Sequence, residues 1–439
     1  MTDPEDQTRS TSVPRQYAVL VGVALPGMQP WEAEDSLDEL GRLADTATLI
    51  EAGRVLQQRR AVDATFFIGK GKANELKRLA EERDVDLVIF DNDLSPAQLR
   101  NLEKLTGVRV LDRSGLILDI FARRARTRTA QLQVELAQLN YLLPRLTRQW
   151  THLSRQAGGG AIRGMGAVGV RGPGETQLES DRRTIRRRIR ELEERLERIG
   201  TQLATSRQSR TDAFKVALVG YTNAGKSTLM RALSGAQVLV EDQLFATLDS
   251  TTRQVSLDGH RPILLTDTVG FIKRLPHHLF ASFRATLEEA VEADLLLHVI
   301  DLSFPHYRSQ VETVEQVLQE LHLEDRPTLR VYNKIDRIGP SEEAQVAEGF
   351  AGQEDAVAIS AMTGFGLDRL RQRIAAQARI NAVTLKLQIP QAEGRLLAQL
   401  AAEGEILDRS FHDDQVRLRV VLDRSWVKRW DLERFAVPV

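Results

Sequence analysis

A glycine-rich segment at residues 220–228, GYTNAGKST, contains the residue types that bind the phosphates of a nucleotide. It fits the G-x-x-x-x-G-K-[ST] pattern, in which glycines let backbone N–H groups approach phosphate oxygens. In this pattern Lys226 reaches the β and γ phosphates, and the Ser227 hydroxyl coordinates Mg²⁺. FKVALV at 214–219 predicts a strand and residues 229–233 predict the opening of a helix, which is the context that the motif requires. The competing interpretation, an ordinary glycine-rich turn, is disfavoured by the complete motif in this context.

Further motifs follow the loop in chain order: FATLD at 245–249, LLTDTVG at 264–270, NKID at 333–336 and ISAM at 359–362. Each lies at the carboxyl end of a predicted strand or in the loop beside it, and an open α/β sheet binds its ligand at this edge. One short motif is weak evidence. Five in this order strongly indicate a nucleotide-binding domain.

Two of these loops are predicted to sense the γ phosphate. Thr247 is the predicted hydroxyl that completes the Mg²⁺ coordination, with Thr251 and Thr252 as rivals. Asp267 would bind Mg²⁺ through water, and Gly270 can offer its N–H to the γ phosphate. Loss of that phosphate would release both loops, so the domain is predicted to act as a switch.

The NKID motif predicts which base is bound. A carboxylate only accepts hydrogen bonds, so Asp336 pairs with the N1–H and amino group of guanine and faces an acceptor in adenine. Asn333 is predicted to share this task, Lys334 to pack its stem over the base, and the backbone of residues 360–362 to contact the guanine oxygen. The ligand is therefore predicted to be GTP rather than ATP.

One catalytic part of many GTPases is missing. The position after DxxG, where Gln orients the attacking water, is Phe271. Intrinsic hydrolysis is therefore expected to be slow and to depend on a partner-supplied group, which contributes ~10³ to 10⁵ in rate. Asn223 is a candidate for holding K⁺ against the phosphates, where the cation would substitute for an arginine finger.

The complete prediction for the site is as follows. The catalytic residues are Asn223, Lys226, Thr247 and Gly270, and the metal residues are Ser227, Thr247 and, through water, Asp267. The GTP-binding residues are Gly220, Tyr221, Thr222, Asn223, Ala224, Gly225, Lys226, Ser227, Thr228, Phe245, Ala246, Thr247, Leu248, Asp249, Asp267, Thr268, Val269, Gly270, Asn333, Lys334, Ile335, Asp336, Ser360, Ala361 and Met362.

Length and composition bound the elements that must position these residues. A chain of 439 residues with 42% hydrophobic content predicts about three globular domains. The 60 basic and 61 acidic residues nearly cancel, so total charge does not indicate a partner. The absence of cysteine suits a reducing cytosol, and no apolar run approaches the ~18 residues that span a bilayer. We therefore expect a soluble, cytoplasmic protein.

The fold class predicted from alternating strands and helices is α/β, with a P-loop domain whose mostly parallel sheet is flanked by helices. The predicted order is a disordered N-terminus (1–15), an N-terminal α/β domain (16–115), a helical linker (116–210), the nucleotide domain (211–380) and a small C-terminal α/β domain (381–439). FIGKGKANE at 67–75 resembles a second phosphate site but lacks its spacing, so a turn or a basic patch against RNA is favoured.

The linker concentrates positive charge. Residues 121–190 contain 15 arginines and no lysine, against four carboxylates. Apolar spacing predicts two helices that form a hairpin, with the glycine-rich loop 158–174 at its tip. This composition suits contacts to an RNA backbone, for which Arg155, Arg163 and Arg171 are candidates. The alternative is a solvated helix pair with a flexible linker.

The C-terminal stretch predicts a strand at TLKLQIP, a helix from about residue 392 to 403, the strand RLRVVLD and a closing helix. Trp426 and Trp430, together with Lys428 and Arg429, could stack on RNA, but a small separate core is the favoured interpretation.

Taken together, these motifs resemble the HflX family of ribosome-associated GTPases. The resemblance is carried by GYTNAGKST at 220–228, DQLFATLD at 242–249 and DTVGFI at 267–272, and outside this domain by IGKGKANEL at 68–76 and GPGETQLE at 172–179. It implies an N-terminal α/β domain, a helical linker, a GTPase domain and binding to the large ribosomal subunit and its RNA, with Phe271 as the family's normal residue after DxxG.

The leading hypothesis is a monomeric GTPase that docks on the large ribosomal subunit with GTP bound, hydrolyses it to GDP, and separates or recycles stalled or idle ribosomes. The alternative is an RNA-binding module acting in ribosome assembly, in which hydrolysis is incidental. GTP-gated membrane transport shares the Asn-containing loop but requires spanning helices that the sequence does not predict.

Overall fold

The computed structural model describes residues 15–146, 173–208, 214–235, 243–257, 262–274, 290–339, 349–350, 352–379 and 382–437. Contacts divide the chain into two compact units. The first is the N-terminal part to Ala204 together with the described residues 243–249 and 273–274, and the second is the remainder. The predicted disordered N-terminus up to residue 14, most of the glycine-rich loop, and Arg155, Arg163 and Arg171 lie outside the described residues. Among those described, no helix is long and apolar enough to cross a membrane.

The first unit is built on a parallel sheet, as predicted. Its strands are β1 (Gln16–Ala24), β2 (Leu49–Gln58), β3 (Leu87–Phe90) and β4 (Arg109–Asp112), in the order β2-β1-β3-β4. The helices that follow them are α1 (Pro30–Thr46), α2 (Lys70–Glu82), α3 (Pro96–Thr106) and α4 (Arg113–Arg124). Ser95 caps α3, since its Oγ accepts the N–H of Gln98 at 3.3 Å. The helix predicted over residues 31–50 ends at Thr46, because Thr48 has a φ of +62° and β2 begins at Leu49.

The helical hairpin predicted in the linker is confirmed by its packing. Helix α5 (Arg128–Leu142) and helix α6 (Pro173–Gln208) share an apolar cluster in which four residues are buried, namely Leu132, Leu136, Ile189 and Leu192. Arg188 donates two hydrogen bonds from α6 to the Glu135 carboxylate on α5, at 2.7 and 3.0 Å. The leucine and isoleucine spacing read from the sequence therefore forms one interface.

The second unit contains the larger sheet. Its described strands are β5 (Lys215–Gly220), β6 (Thr251–Val255), β7 (Ile263–Asp267), β8 (Leu295–Asp301), β9 (Thr328–Asn333) and β10 (Ala356–Ala358), in the order β10-β9-β8-β5-β7-β6. Within this set β6 pairs antiparallel and the other pairs are parallel. Helices α7 (Lys226–Ser234), α8 (Tyr307–Glu320) and α9 (Leu367–Ala378) accompany it, and an apolar core fills the space against the sheet. Parallel pairing brings the carboxyl ends of β5, β7, β8 and β9 to one edge.

The C-terminal stretch forms a three-stranded antiparallel sheet within the described residues. Strands β11 (Ala382–Pro390), β12 (Glu405–His412) and β13 (Gln415–Asp423) occur in the order β11-β13-β12, with helices α10 (Gly394–Glu403) and α11 (Arg424–Arg429). Trp426 is 5% exposed and its ring lies 4.2 Å from that of Trp430, so both belong to the core of this sheet. The favoured interpretation of the tryptophans is confirmed, whereas β12 was not predicted.

Candidate nucleotide site

The phosphate loop joins β5 to α7 through a conformation that requires glycine. Gly225 precedes the first residue of α7 and has a φ of +95°. A Cβ on Gly225 would lie 2.3 Å from the Nδ2 atom of Asn333, so both the backbone angle and the available space exclude a side chain. Asn223 also has a positive φ, of 61°. The loop is thus wound tightly around the N-terminus of α7, where backbone N–H groups favour an anion.

Lys226 is the buried cation of this loop. Its Nζ donates to the backbone oxygens of Gly220 at 3.1 Å and Tyr221 at 2.9 Å. Burial lowers the pKa of Lys226 to about 8, although the nearby Asp267 carboxylate opposes that change. The ammonium is therefore held by weak neutral acceptors in a place where an anionic ligand would bind it more strongly.

Ser227 and Asp267 are brought together at the carboxyl end of β7. The Ser227 Oγ donates to Asp267 Oδ2 at 2.6 Å, and Asp267 is 1% exposed. A hydroxyl beside a carboxylate is a pair of hard oxygen donors of the kind that Mg²⁺ prefers. These two residues therefore fit the predicted metal position.

The DxxG loop is fastened to the phosphate loop by its backbone. Thr222 donates its N–H to the Phe271 oxygen at 2.7 Å, and Phe271 donates its N–H to the Gly220 oxygen at 3.1 Å. A Cβ on Gly270 would lie 2.6 Å from the Cα of Thr222 and 3.0 Å from the Nζ of Lys226. Gly270 is thus the residue that allows the two loops to touch. The Phe271 side chain is 2% exposed, so it points into the core and carries no group that could orient water.

Asn333 connects two loops by both ends of its carboxamide. Its Nδ2 donates to the Ala224 oxygen at 2.9 Å, and its Oδ1 accepts the Ala361 N–H at 3.0 Å. Asn333 is 2% exposed, so these protein contacts use a buried amide. The sequence predicts that Asn333 helps to select the base, and this stays a prediction. The structure shows in addition that its carboxamide links the phosphate loop to the 359–362 loop.

Asp336 occupies the exposed side of the same loop. It follows Lys334, whose φ is +66°, and lies in the short 3₁₀ turn Ile335–Arg337. The Ser360 Oγ donates to Asp336 Oδ1 at 2.6 Å, which fixes the carboxylate beside the ISAM motif. Met362 in that motif is 75% exposed. The arrangement leaves an oriented carboxylate at the surface, ready to accept hydrogen bonds from a ligand.

The predicted switch segment has contacts of a different kind. Residues 243–249 group with the first unit. There the Phe245 ring meets the Phe121 ring edge-on, with centroids 4.7 Å apart, and Phe245 is 2% exposed. Asp249 accepts the N–H groups of Arg126 and Thr127, both at 3.1 Å. Thr247 belongs to this segment, whereas Ser227 and Asp267 belong to the second unit, and its rival Thr252 lies in β6 with its hydroxyl 2.9 Å from that of Thr266.

One polar residue at this edge was missed by the sequence reasoning. Asp301 ends β8 and accepts the Lys334 ammonium at 2.8 Å. The signal was present, because the apolar run LLLHVI ends in an aspartate in the manner of the other strands that carry motifs. The run itself was not assigned as a strand, so its terminal carboxylate was not considered.

Comparison with protein families gives consecutive matches along the chain. Residues 34–122 match the family described as GTP-binding GTPase N-terminal, residues 124–210 match GTP-binding GTPase Middle Region, and residues 215–334 match 50S ribosome-binding GTPase. The first match covers β2, β3 and β4 of the parallel sheet, and the second covers the hairpin. The third covers the phosphate loop, DxxG and the start of NKID.

Individual relatives extend the match over almost the whole chain. The chain is 46% identical over 426 residues to GTPase HflX of Magnetococcus marinus, covering 95% of this chain and 96% of the relative. It is 43% identical over 413 residues to GTPase HflX of Escherichia coli K12, covering 92% and 94%. A solved structure titled as an SsGBP and GDP complex shares 26% identity, with a TM-score of 0.47, and covers 83% of this chain and 99% of that one. The protein therefore belongs to the HflX family of GTPases, and it is a GTP-binding hydrolase.

Proposed function

We propose that this GTPase binds the large ribosomal subunit while GTP is bound, hydrolyses GTP there, and in doing so separates stalled or idle ribosomes. The observation that carries the proposal is a row of exposed arginines on α6, which comprises Arg183, Arg187 and Arg190. Residues spaced by four and three share one side of a helix. They span about 10 Å along its axis, and this row presents a cationic surface to an RNA backbone.

The description of the matching family, 50S ribosome-binding GTPase, supports the same partner. The buried ring of Phe271 indicates that hydrolysis requires help from a partner. The position that would orient the attacking water has no hydrogen-bonding side chain. A partner that contributes such a group would raise the rate of hydrolysis. Arg155, Arg163 and Arg171 remain proposed RNA contacts, and the cytosol is the proposed location because ribosomes are the partner.

The proposed nucleotide roles are those that the sequence motifs predict, and contacts within the second unit support them for Lys226, Ser227 and Asp267. The backbone of residues 220–228 and the Lys226 ammonium neutralise phosphate charge, and Gly270 offers its N–H to the γ phosphate. Mg²⁺, which GTPases generally use, would be held by Ser227 and, through water, by Asp267, with Thr247 as the switch hydroxyl. When bound, the metal would supply positive charge that neutralises the phosphates.

The base is read by Asp336. Its carboxylate accepts hydrogen bonds from the N1–H and amino group of guanine, and the hydrogen bond from Ser360 orients it. Lys334 lays its stem against the base, and the backbone of residues 360–362 contacts the guanine oxygen. Asn333 contributes by fixing the two loops between which the nucleotide lies.

Asn223 is the proposed contact for K⁺. It lies within the phosphate loop with a φ of +61°, and its side chain is partly exposed. A monovalent cation there would supply positive charge to the transition state. Replacing K⁺ with Na⁺ should lower the rate of hydrolysis, and an unchanged rate would exclude this role.

The test of the proposed function is GTP hydrolysis with and without purified large ribosomal subunits. We expect a slow intrinsic rate that rises at least tenfold with subunits, and sucrose-gradient profiles in which 70S particles decrease when GTP is present. If subunits bind the protein but neither its hydrolysis rate nor the 70S fraction changes, the alternative holds. The protein would then be a GTP-regulated RNA-binding module of ribosome assembly.

A further inference from the structure

A short series of hydrogen-bonded polar side chains lies at the carboxyl end of β8, outside the motifs that define the nucleotide site. Asp301, the last residue of β8, is paired in register with Asn333, the last residue of β9. The next residue, Leu302, donates its N–H to the Asn333 oxygen at 3.0 Å. The end of β8 is therefore level with the start of the base-reading loop.

Both oxygens of the Asp301 carboxylate are engaged. Oδ2 accepts the Lys334 Nζ at 2.8 Å. Oδ1 accepts the Ser303 N–H at 3.1 Å and the Ser303 hydroxyl at 2.6 Å. The side chains of Lys334 and Asp301 are only 13% and 18% exposed, so solvent and salt screen this pair less than a surface pair.

The Lys334 side chain is consequently fixed at both of its ends. Its backbone has a φ of +66° and is followed at once by the 3₁₀ turn Ile335–Arg337. A free lysine stem samples many rotamers, and ordering it on a ligand would oppose binding. Since Asp301 holds the ammonium before any ligand arrives, less side-chain freedom of Lys334 remains to be lost on binding.

We propose that Asp301 is a positioning residue for guanine binding, and that it acts by holding Lys334 so that its stem packs against the base. Ser303 supports this role by orienting the carboxylate. The inference rests on the proposed placement of the base at residues 333–336. It extends that site to the end of β8, a strand outside the nucleotide motifs.

A purely structural role for the ion pair would be to fasten β8 to β9. The two strands are already joined by parallel backbone pairing over their whole length, from Leu296 opposite Thr328 to Asp301 opposite Asn333. Asp301 lies at the last position of this ladder, and Lys334 lies one residue beyond the ladder. Pairing of the two strands therefore does not require the ion pair. The direction of the Lys334 side chain does require it.

The experiment measures fluorescent GDP affinity and steady-state GTP hydrolysis with the full chain. Asp301→Asn should weaken GDP binding and raise KM for GTP, each by roughly tenfold, because a charged hydrogen bond to Lys334 is lost. The kcat should stay within about twofold, since Asp301 does not touch the phosphates. Asp368→Asn, which removes an exposed ion pair with Arg371 in the same unit, is the matched control and should match the wild type.

A double-mutant cycle separates positioning from a structural effect. If Asp301 acts through Lys334, then Asp301→Asn should change GDP affinity by less than about twofold in a Lys334→Ala background. Equal losses in both backgrounds would overturn the proposal, as would normal GDP affinity in Asp301→Asn. If Asp301→Asn does not fold, Ser303→Ala replaces it in the cycle with an expected loss of about threefold, and no loss would overturn the proposal.

Asp336→Asn, measured in parallel, tests the base site itself. Loss of guanine binding there, with normal affinity in Asp301→Asn, would reject only the inference about Asp301. An unchanged preference for guanine in Asp336→Asn would instead reject the placement of the base, and with it both proposals about this edge.

Discussion

Lys226 shows at the level of one residue how the loop is prepared for an anion. Its ammonium is buried and is bound only by two backbone oxygens in the hydrogen bonds that the structure gives. Burial lowers its pKa to about 8. We therefore expect about half of the Lys226 side chains to be neutral at pH 8 in the ligand-free protein. Phosphate charge would favour the ammonium, so the nucleotide and the proton should bind together.

We predict that GDP binding takes up about half a proton per site at pH 8, and that affinity falls as pH rises through 8. The sign follows because the complex holds the proton more tightly than the free protein. Calorimetric titration in two buffers of different ionisation enthalpy measures this uptake. The phosphates themselves are fully ionised at this pH, so they add nothing. Identical heats in the two buffers would contradict the prediction.

The same residue affects the stability of the ligand-free protein. Because its folded pKa lies below the unfolded value, the unfolded chain binds more protons between pH 8 and about 10.5. The Lys226 contribution to stability therefore becomes more favourable as pH rises through that window, and bound nucleotide should abolish the effect.

Asp336 carries the prediction on base choice. Replacing its carboxylate with an amide puts a donor where guanine presents its amino group, so Asp336→Asn should bind GTP at least tenfold more weakly. Xanthine has an oxygen at that position, and XTP affinity should rise in the same variant. Competition binding with GTP, XTP and ATP measures all three preferences. If the affinities for GTP and XTP fall together, the substitution damages the loop instead of changing base selection.

At the scale of elements, the residue that caps α5, Thr127, is itself held by Asp249, more than a hundred positions along the chain. Thr127 precedes α5 and its Oγ1 accepts the Ala130 N–H, while its own N–H and that of Arg126 donate to Asp249. The Thr127 hydroxyl also donates to Asp249. Asp249 thus fastens residues 243–249 to the helix start, assisted by the burial of Phe245 against Phe121.

Removing this carboxylate should release the segment. We predict that Asp249→Ala lowers the stability of the first unit by about 1 kcal/mol, because the hydrogen bonds that hold the N-cap residue Thr127 are lost. Amide hydrogen exchange should increase over residues 243–249 and in the first turn of α5. Arg371, in the second unit, offers a control at an exposed ion pair, and Arg371→Ala should leave exchange in both places unchanged. Protection unchanged in Asp249→Ala would mean that Phe245 alone holds the segment.

The strands also show which parts of the fold can be predicted from the sequence. The motifs were placed at strand ends because β5 and β7 are short, largely buried runs, and because β9 alternates buried and partly buried residues, as strands do. Strand β12 escaped prediction because it lies at an edge and is paired on one side, so its side chains are largely exposed and its sequence, EILDRSFH, does not alternate. Because the sequence analysis assigns no strand at β8, it also gives no role to Asp301, which ends that strand.

Contacts between distant segments were beyond the sequence for another reason. Nothing in DQLFATLD indicates that Phe245 has a ring partner at Phe121, because only the folded chain brings the two together. The carboxamide of Asn333 is a second case. Its residue type is compatible with a base contact. Only the structure shows that its carboxamide also donates to the Ala224 oxygen and accepts from the Ala361 N–H.

At the scale of the whole molecule, a net charge of −1 conceals a strongly uneven distribution. Nine of the 19 arginines in residues 116–210 lie on α6. Among them Arg188 is paired with Glu135, and Arg183, Arg187 and Arg190 are exposed. Further along the same helix, arginines alternate with glutamates, as in the pair of Arg198 and Glu194 at 3.5 Å. One helix therefore presents a cationic stretch and a balanced stretch.

This contrast within α6 provides a matched test of RNA binding. Replacing Arg183, Arg187 and Arg190 with Gln should weaken binding to large subunits. The slope of log affinity against log salt should become shallower by about 2 to 3, because binding then releases about one counterion fewer from the RNA for each arginine removed. GTP hydrolysis without ribosomes should not change. The same substitution of Arg195 and Arg198, in the balanced stretch, should alter the slope by less than half as much. Equal effects would mean that total charge matters, and no effect in either variant would place the RNA contact elsewhere on the chain.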